Sequence, residues 1–218
     1  MKLKGEFEMN LKLKIEFVAL LVLTLLFVNC ASFSGNNLPI VENFPFKDNI
    51  VPKPSLYVDA NMQMKIKGEV KDSPNKKVKE IIENAVIPVV KNSNLFGEVV
   101  TDPKFSGEKD YKLEVKFTLY SDPLSQISAF ITGFSMFCIP GYGVDQHTLV
   151  ATLYDRDNNV LKKYTINESV KTIMHIFLLP VSVTKMNTMI VAKSVRENMV
   201  KYLLTEIKKD NLISLKND

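Results

Sequence analysis

Residues 111–120, YKLEVKFTLY, alternate without interruption. Tyr111, Leu113, Val115, Phe117 and Leu119 fall on one side of an extended chain, and Lys112, Glu114, Lys116, Thr118 and Tyr120 on the other. Successive side chains of a strand point to opposite faces, so this stretch predicts a strand with one buried and one largely solvated face. That is the pattern of an antiparallel sheet with a single apolar side.

The flanking segments are read against that strand. Tyr57, Met62, Met64 and Ile66 alternate in part and predict an earlier strand over 56–70. Ser73 and Pro74 suit the N-cap and first residue of a helix. Val78, Ile81, Ile82, Ala85, Val86, Val89 and Val90 then form one helical stripe. Pro88 is expected to kink or shorten that helix, because it lacks an N–H and crowds the preceding turn. Asn92, Ser93 and Asn94 end it, and an extended segment begins at Leu95. Residues 148–154 and 160–170 predict a hairpin closed by Asp155-Arg156-Asp157-Asn158-Asn159. A long helix follows from Thr184 or Asn187 to Lys209, with Val191, Val195, Met199, Tyr202, Leu203 and Ile207 on its stripe. The order predicts an α+β fold, a mostly antiparallel sheet of about four or five strands with two amphipathic helices packed on one face. Residues 56–218 are expected to form it as a single domain.

The N-terminal part has a different character. Lys12 and Lys14 precede an apolar run, residues 17–28, broken only by Thr24 and ending at Asn29-Cys30. A charged start and an apolar centre of roughly 7–15 residues mark an export signal, and the run is short of the roughly 20 residues a bilayer span needs. The cysteine closing it resembles the lipobox of bacterial lipoproteins, in the looser spirochaete form, with Phe27 and Asn29 where the common pattern has Leu and a small residue. That resemblance implies a signal peptide over 1–29, cleavage before Cys30 and a diacylglyceryl group on the Cys30 thiol. It implies contact with a membrane through that lipid, in the bacterial cell envelope, at an outer membrane facing the periplasm or the cell surface. The alternatives are an uncleaved N-terminal membrane anchor and a chance cysteine beside an export signal. Glu6 and Glu8 dilute the positive start, so translation from Met9 would give a cleaner signal. Residues 30–55, broken by Gly35 and by Pro39, Pro45, Pro52 and Pro54, are expected to be a flexible tether, part of it packing through Ile40, Val41, Phe44 and Phe46.

Charge and cysteine usage exclude several classes. Residues 1–29 hold four of the 28 basic and three of the 24 acidic residues, leaving the rest with 24 and 21, a net +3. A balance so slight, with scattered lysines, gives no basis for nucleic-acid binding. Two cysteines, one of them assigned to a lipid, exclude a disulfide framework. Cys138, between Phe137 and Ile139, is expected to be a buried, inert thiol. His147 and His175 lack any paired metal-ligand spacing, and no nucleophile elbow, phosphate loop or dinucleotide fingerprint is present. No catalytic residue, metal site or cofactor beyond the covalent lipid is therefore assigned. Asp155 and Asp157 read as turn formers, with a calcium site as the alternative.

Two apolar segments remain, 124–140 (LSQISAFITGFSMFCIP) and 173–183 (IMHIFLLPVSV). The first, with Pro140-Gly141-Tyr142 ahead of Leu153-Tyr154-Asp155, is similar to a pattern in envelope lipoproteins without an assigned activity, over residues 111–180. Either both segments are core, or they form an exposed apolar face touching the bilayer, a partner or an acyl ligand, with Phe130, Phe134, Phe137, Ile176, Phe177 and Leu178 as its candidate residues; Ser125, Gln126 and Ser128 shorten the first run below the length of a transmembrane span. The leading functional expectation is a lipid-anchored binding or assembly module that meets an envelope protein. The alternative is a carrier or sensor of an apolar ligand held between the two segments.

Overall fold

The computed structural model describes residues 30–42, 44–47, 52–66, 69–72, 76–178 and 186–213. Residues 1–29, Ser73 and Pro74, residues 179–183 and the side chain of Ile176 lie outside the described residues. The strands are β1 (Cys30–Ser34), β2 (Ser55–Ile66), β3 (Glu69–Asp72), β4 (Glu98–Val100), β5 (Tyr111–Ser121), β6 (Gly141–Asp155) and β7 (Val160–Met174). The helices are α1 (Lys76–Lys91), α2 (Pro123–Phe134) and α3 (Thr188–Lys209).

β5 carries the alternating stretch. Tyr111, Leu113, Val115 and Phe117 are buried, whereas Lys116 and Tyr120 are exposed. On the open face Lys112 Nζ lies 2.8 Å from Glu114 Oε1, and the Tyr154 hydroxyl donates to Glu114 Oε2 at 3.1 Å. The next two strands are a long hairpin. Asp155 closes its turn by accepting from the N–H groups of Asp157 (2.9 Å) and Asn159 (2.8 Å), and Asn158 takes the left-handed conformation the turn needs. The Asp155 carboxylate is thus a turn former, held below the usual carboxylate range first by the Asn159 side-chain amide, which donates to it at 3.0 Å, and then by these backbone bonds.

The sheet order is β1-β7-β6-β5-β2-β3, with β4 beside β2. The class is α+β, but among the described residues the sheet has seven strands rather than four or five, and there are three α-helices rather than two. Two of its pairings are parallel, β2 with β5 and β2 with β4. Parallel neighbours need a long crossover, and the stretch through α1 supplies it. Alternation within one strand marks a half-buried face but says nothing of the direction of the neighbour.

α1 and α3 touch each other and cover the same face, α1 over β2 and α3 over β7 and β1. Ile82, Val86, Val90, Met199, Leu203, Leu204 and Ile207 meet Phe117, Leu149 and Leu153 in a continuous core. α1 continues through Pro88 to Lys91, and Ile81, at the margin of its stripe, is exposed. The C-terminus of α3 is tied to the hairpin by Asp210, which accepts from Lys162 Nζ at 2.6 Å and from the Tyr164 hydroxyl at 2.8 Å.

The segment expected to be a flexible tether begins as a strand instead. β1 pairs antiparallel with β7, Cys30 opposite Met174 and Ser34 opposite Val170. Its small residues let it lie beneath the start of α3. Ala31 and Ser32 are buried, the Ser32 N–H donates to the Met186 carbonyl (2.8 Å), and its hydroxyl meets those of Thr172 and Thr188. A Cβ on Gly35 would stand 1.9 Å from Ser169 Oγ, so any larger residue there would have to displace the Ser169 side chain. The buried Glu168 carboxylate then accepts from the N–H groups of Asn37 (3.2 Å) and Leu38 (3.0 Å). Further on, Asn198 bridges Pro39 and Val41, and Phe46 is buried, with its N–H on the Ser93 carbonyl. Prolines that break periodicity do not make a segment free when side chains satisfy its backbone groups.

Phe117 fills the centre of the core. Phe117→Ala is expected to lower stability by about 3–5 kcal/mol, and Lys116→Ala by less than about 0.5 kcal/mol. Denaturant unfolding of both variants checks this; equal midpoints would refute the register of β5.

Candidate functional site

β6 is longer than its neighbour. The last β5–β6 pair is Ser121 with Asp145, so residues 141–144 have an edge that β5 does not cover. α2 covers it. Asp122 caps the helix by accepting from the Leu124 N–H (3.1 Å). Ser125 Oγ then accepts from the Val144 N–H and Ser128 Oγ from the Tyr142 N–H, both at 2.9 Å. Thr132 is buried against Gly141, where a Cβ would stand 2.1 Å from its Oγ1. The helix thus docks through hydroxyls, on a row of one serine, a second three residues on and a threonine four beyond that.

The consequence is a helix with its apolar side turned outward. Phe130 is 73% exposed and Phe134 85%, their rings stacked at 6.4 Å. Leu124, Ile127 and Ile131 lie exposed on the same helix, followed by Met136 and Ile139. Full burial of one such side chain is worth roughly 1.5–3 kcal/mol, so the uncovered helix forgoes several times that. Phe137 is half-buried; it and Met136 take left-handed conformations that turn the chain back at the helix end. That turn also exposes Cys138, against the expectation of a buried thiol. Flanking apolar residues predict a buried thiol only where the element itself is covered.

The second apolar segment reaches the same end of the sheet. Gly141 pairs with Met174, which pairs on its other side with Cys30. Beyond Met174, Phe177 is 82% exposed and Leu178 half-buried, with the His175 and Phe177 rings 5.1 Å apart. At the start of α3, Met189 (82% exposed) and Ile190 add to this end. Phe130, Phe134 and Phe177 are therefore surface residues, and Cys30 lies in the same row of the sheet. Of Ser125, Ser128 and Thr132, which set this arrangement, the sequence reading takes the two serines only as interruptions of an apolar run and does not single out the threonine. Their hydroxyl stripe opposite large apolar residues is the available signal.

A second group lies under α3. His147 is buried beside Glu168, its partner in the β6–β7 register, and near Arg196. Burial, reinforced by the Arg196 charge and opposed by Asp145 and Glu168, lowers the imidazole pKa to about 4. The Glu168 carboxylate is occupied by backbone N–H groups, so the geometry holds the N-terminal strap rather than a reacting group. Among the described residues no group of three or more His, Cys, Asp or Glu side chains could hold a metal ion.

No family model matches the chain, and no curated protein matches it. Solved structures similar to it include a minor lipoprotein from Acinetobacter baumannii, 12% identical, covering 72% of this chain and 94% of that one with a TM-score of 0.40. PelC dodecamers from Paraburkholderia phytofirmans are similar in two crystal forms. A leucine-to-methionine variant in space group C2 is 12% identical, covering 80% of this chain and 97% of that one with a TM-score of 0.31. The form in space group P6 is 12% identical, covering 78% and 95% with a TM-score of 0.30. Similarity at this level carries no conclusion about what this chain does.

Two outcomes follow from the geometry. Phe134→Asp is expected to leave the melting temperature unchanged within about 2 °C, since the side chain is already in water; loss of the cooperative transition on circular dichroism would place it in the core. The neutral His147 stabilises the fold fully above pH ~6.5, and this contribution is lost as pH falls towards 4, because the unfolded chain then binds the extra proton. The loss is on the order of 3 kcal/mol. An imidazole proton resonance of His147 titrating near 6.5 instead would refute its burial.

Proposed function

We propose that the chain is a lipid-anchored lipoprotein of the bacterial cell envelope, acting as a binding or assembly module rather than as an enzyme. The observation that carries this reading is the position of Cys30. It closes the apolar run of residues 17–28 and is also the first residue of β1. Cleavage before it would leave the whole described fold intact and present the thiol-borne lipid at one end of the sheet. Among the described residues no helix is long and apolar enough to cross a membrane. In this reading the acyl chains on Cys30 are the anchor. An outer membrane facing the periplasm or the cell surface is its site, and the covalent lipid its only non-protein group.

A carrier of apolar ligands is the weaker reading. Such a protein turns its large apolar side chains inward around a cavity. Here Phe130, Phe134 and Phe177 point to solvent, as a contact surface requires.

Metabolic labelling with a radioactive fatty acid tests the proposal. Wild-type protein is expected to take up label and partition into the detergent phase, and Cys30→Ala to take up none. An unlabelled wild-type chain, or equal labelling of both, would overturn the lipid assignment.

A further inference from the structure

The end of the sheet that carries Cys30 also carries the uncovered apolar side of α2, and the strand pairing shows how close the two are. Cys30, Met174 and Gly141 stand in one row across β1, β7 and β6, and Thr132 of α2 rests on Gly141. Neighbouring strands are about 4.8 Å apart, so the backbone of Cys30 lies roughly 10 Å from the residue on which α2 is seated. β1 is hydrogen-bonded into the sheet from its first residue, so no free linker separates the anchor point from the domain. Acyl chains on Cys30 would hold this end at a bilayer surface.

The chemistry of this end suits that surface. The 22 residues between Asp122 and Asp145 carry no charge. α2 runs alongside β6 in the opposite direction, from Asp145 toward the Gly141 row, so Phe134, Met136 and Ile139 stand nearest the end. The charged turn 155–159, with Asp155, Arg156 and Asp157, closes the other end of a 15-residue strand, at most roughly 50 Å away. A short helix that is apolar outward and cannot span lies in the headgroup and acyl boundary, where buried apolar area and a lipid chain act together.

We infer that the Cys30 end of the sheet is seated in the lipid bilayer itself, with the outer side of α2, Met136, Ile139 and Phe177 immersed in its interface. The inference rests on the lipoprotein reading for its anchor. The diacylglyceryl group of that reading brings two chains, enough for stable anchoring, and this face adds a second point of hold that fixes orientation. The domain then stands upright on the membrane and presents the charged 155–159 turn away from it.

The native Cys138, exposed just beyond α2, allows the test. Full-length product is purified in detergent and reconstituted into phosphatidylethanolamine–phosphatidylglycerol vesicles. An environment-sensitive thiol fluorophore is placed on Cys138, and, for comparison, on Asn158→Cys in a Cys138→Ser chain. In vesicles the Cys138 probe is expected to emit to the blue of the Asn158 probe and to be quenched by doxyl-labelled lipid, with the Asn158 probe unaffected. Phe130→Ser combined with Phe134→Ser should keep the circular dichroism spectrum and lose most of that quenching. Equal, aqueous emission from both sites would overturn the inference. So would a blue-shifted Cys138 probe that doxyl lipid does not quench, which would mean that a second copy or another protein covers the face. The mass of the N-terminal fragment reports the lipid on Cys30 separately. A chain held in vesicles by residues 17–28 instead, tested as Cys30→Ser, still answers the question about the face, so the two readings fail independently.

Discussion

The unequal lengths of β5 and β6 govern the Cys30 end of this molecule. β5 leaves the sheet at Ser121, while β6 and β7 continue to Gly141 and Met174. The N–H groups of Tyr142 and Val144 would otherwise form a bare edge, a template for unwanted pairing. α2 removes that edge with serine hydroxyls rather than with another strand. A helix that spends its inward side on hydroxyl groups has only its outward side left for bulk, and in this chain the outward side is Leu, Ile and Phe. The apolar surface thus follows from the way a backbone edge is satisfied, and a small number of polar contacts decides where a large apolar area points.

The same logic runs through the N-terminal strap. Residues 35–42 have no regular secondary structure, and composition reads them as a free leader. Their order comes from Glu168, a carboxylate buried on β7 whose oxygens face the N–H groups of Asn37, Leu38 and Ser169. A hydrogen bond to a charged group contributes about 1.5–3 kcal/mol, and an acidic side chain stripped of water is costly unless it receives such bonds. Strap and carboxylate therefore need each other. They sit about 130 residues apart in the chain, which is why neither betrays the other in the sequence.

What is legible in the sequence is local. The alternation of residues 111–120, the Asp155 turn and the stripe of α3 depend on periodicity and on turn chemistry, and each stands in the structure where the pattern puts it. Sheet order is not legible, because Tyr57 and Lys112 become parallel partners through a crossover that leaves no mark on either strand. The outward face of α2 is half legible. Its apolar content is evident, but Ser125 and Ser128 look like interruptions of a hydrophobic run, whereas they are the docking side. Cys138 misleads for the same reason, its exposure depending on the left-handed turn at Met136 and Phe137 rather than on its neighbours' hydropathy.

In the proposed arrangement, rigid attachment bears on how the module would meet a partner. A lipoprotein on a long flexible leader samples every orientation, and an encounter must wait for the right one. Here the first residue of the fold is paired in the sheet, and the strap behind it is bonded to Glu168 and Asn198. In the proposed arrangement the anchor and the apolar end constrain the same edge of the domain at two points, which removes tumbling as well as translation. The ordering cost of association falls when orientation is set beforehand. An uncovered apolar helix is a liability in a freely soluble protein and a useful feature in one held beside a bilayer, and that difference is the strongest physical reason for joining Cys30 and α2 in a single device.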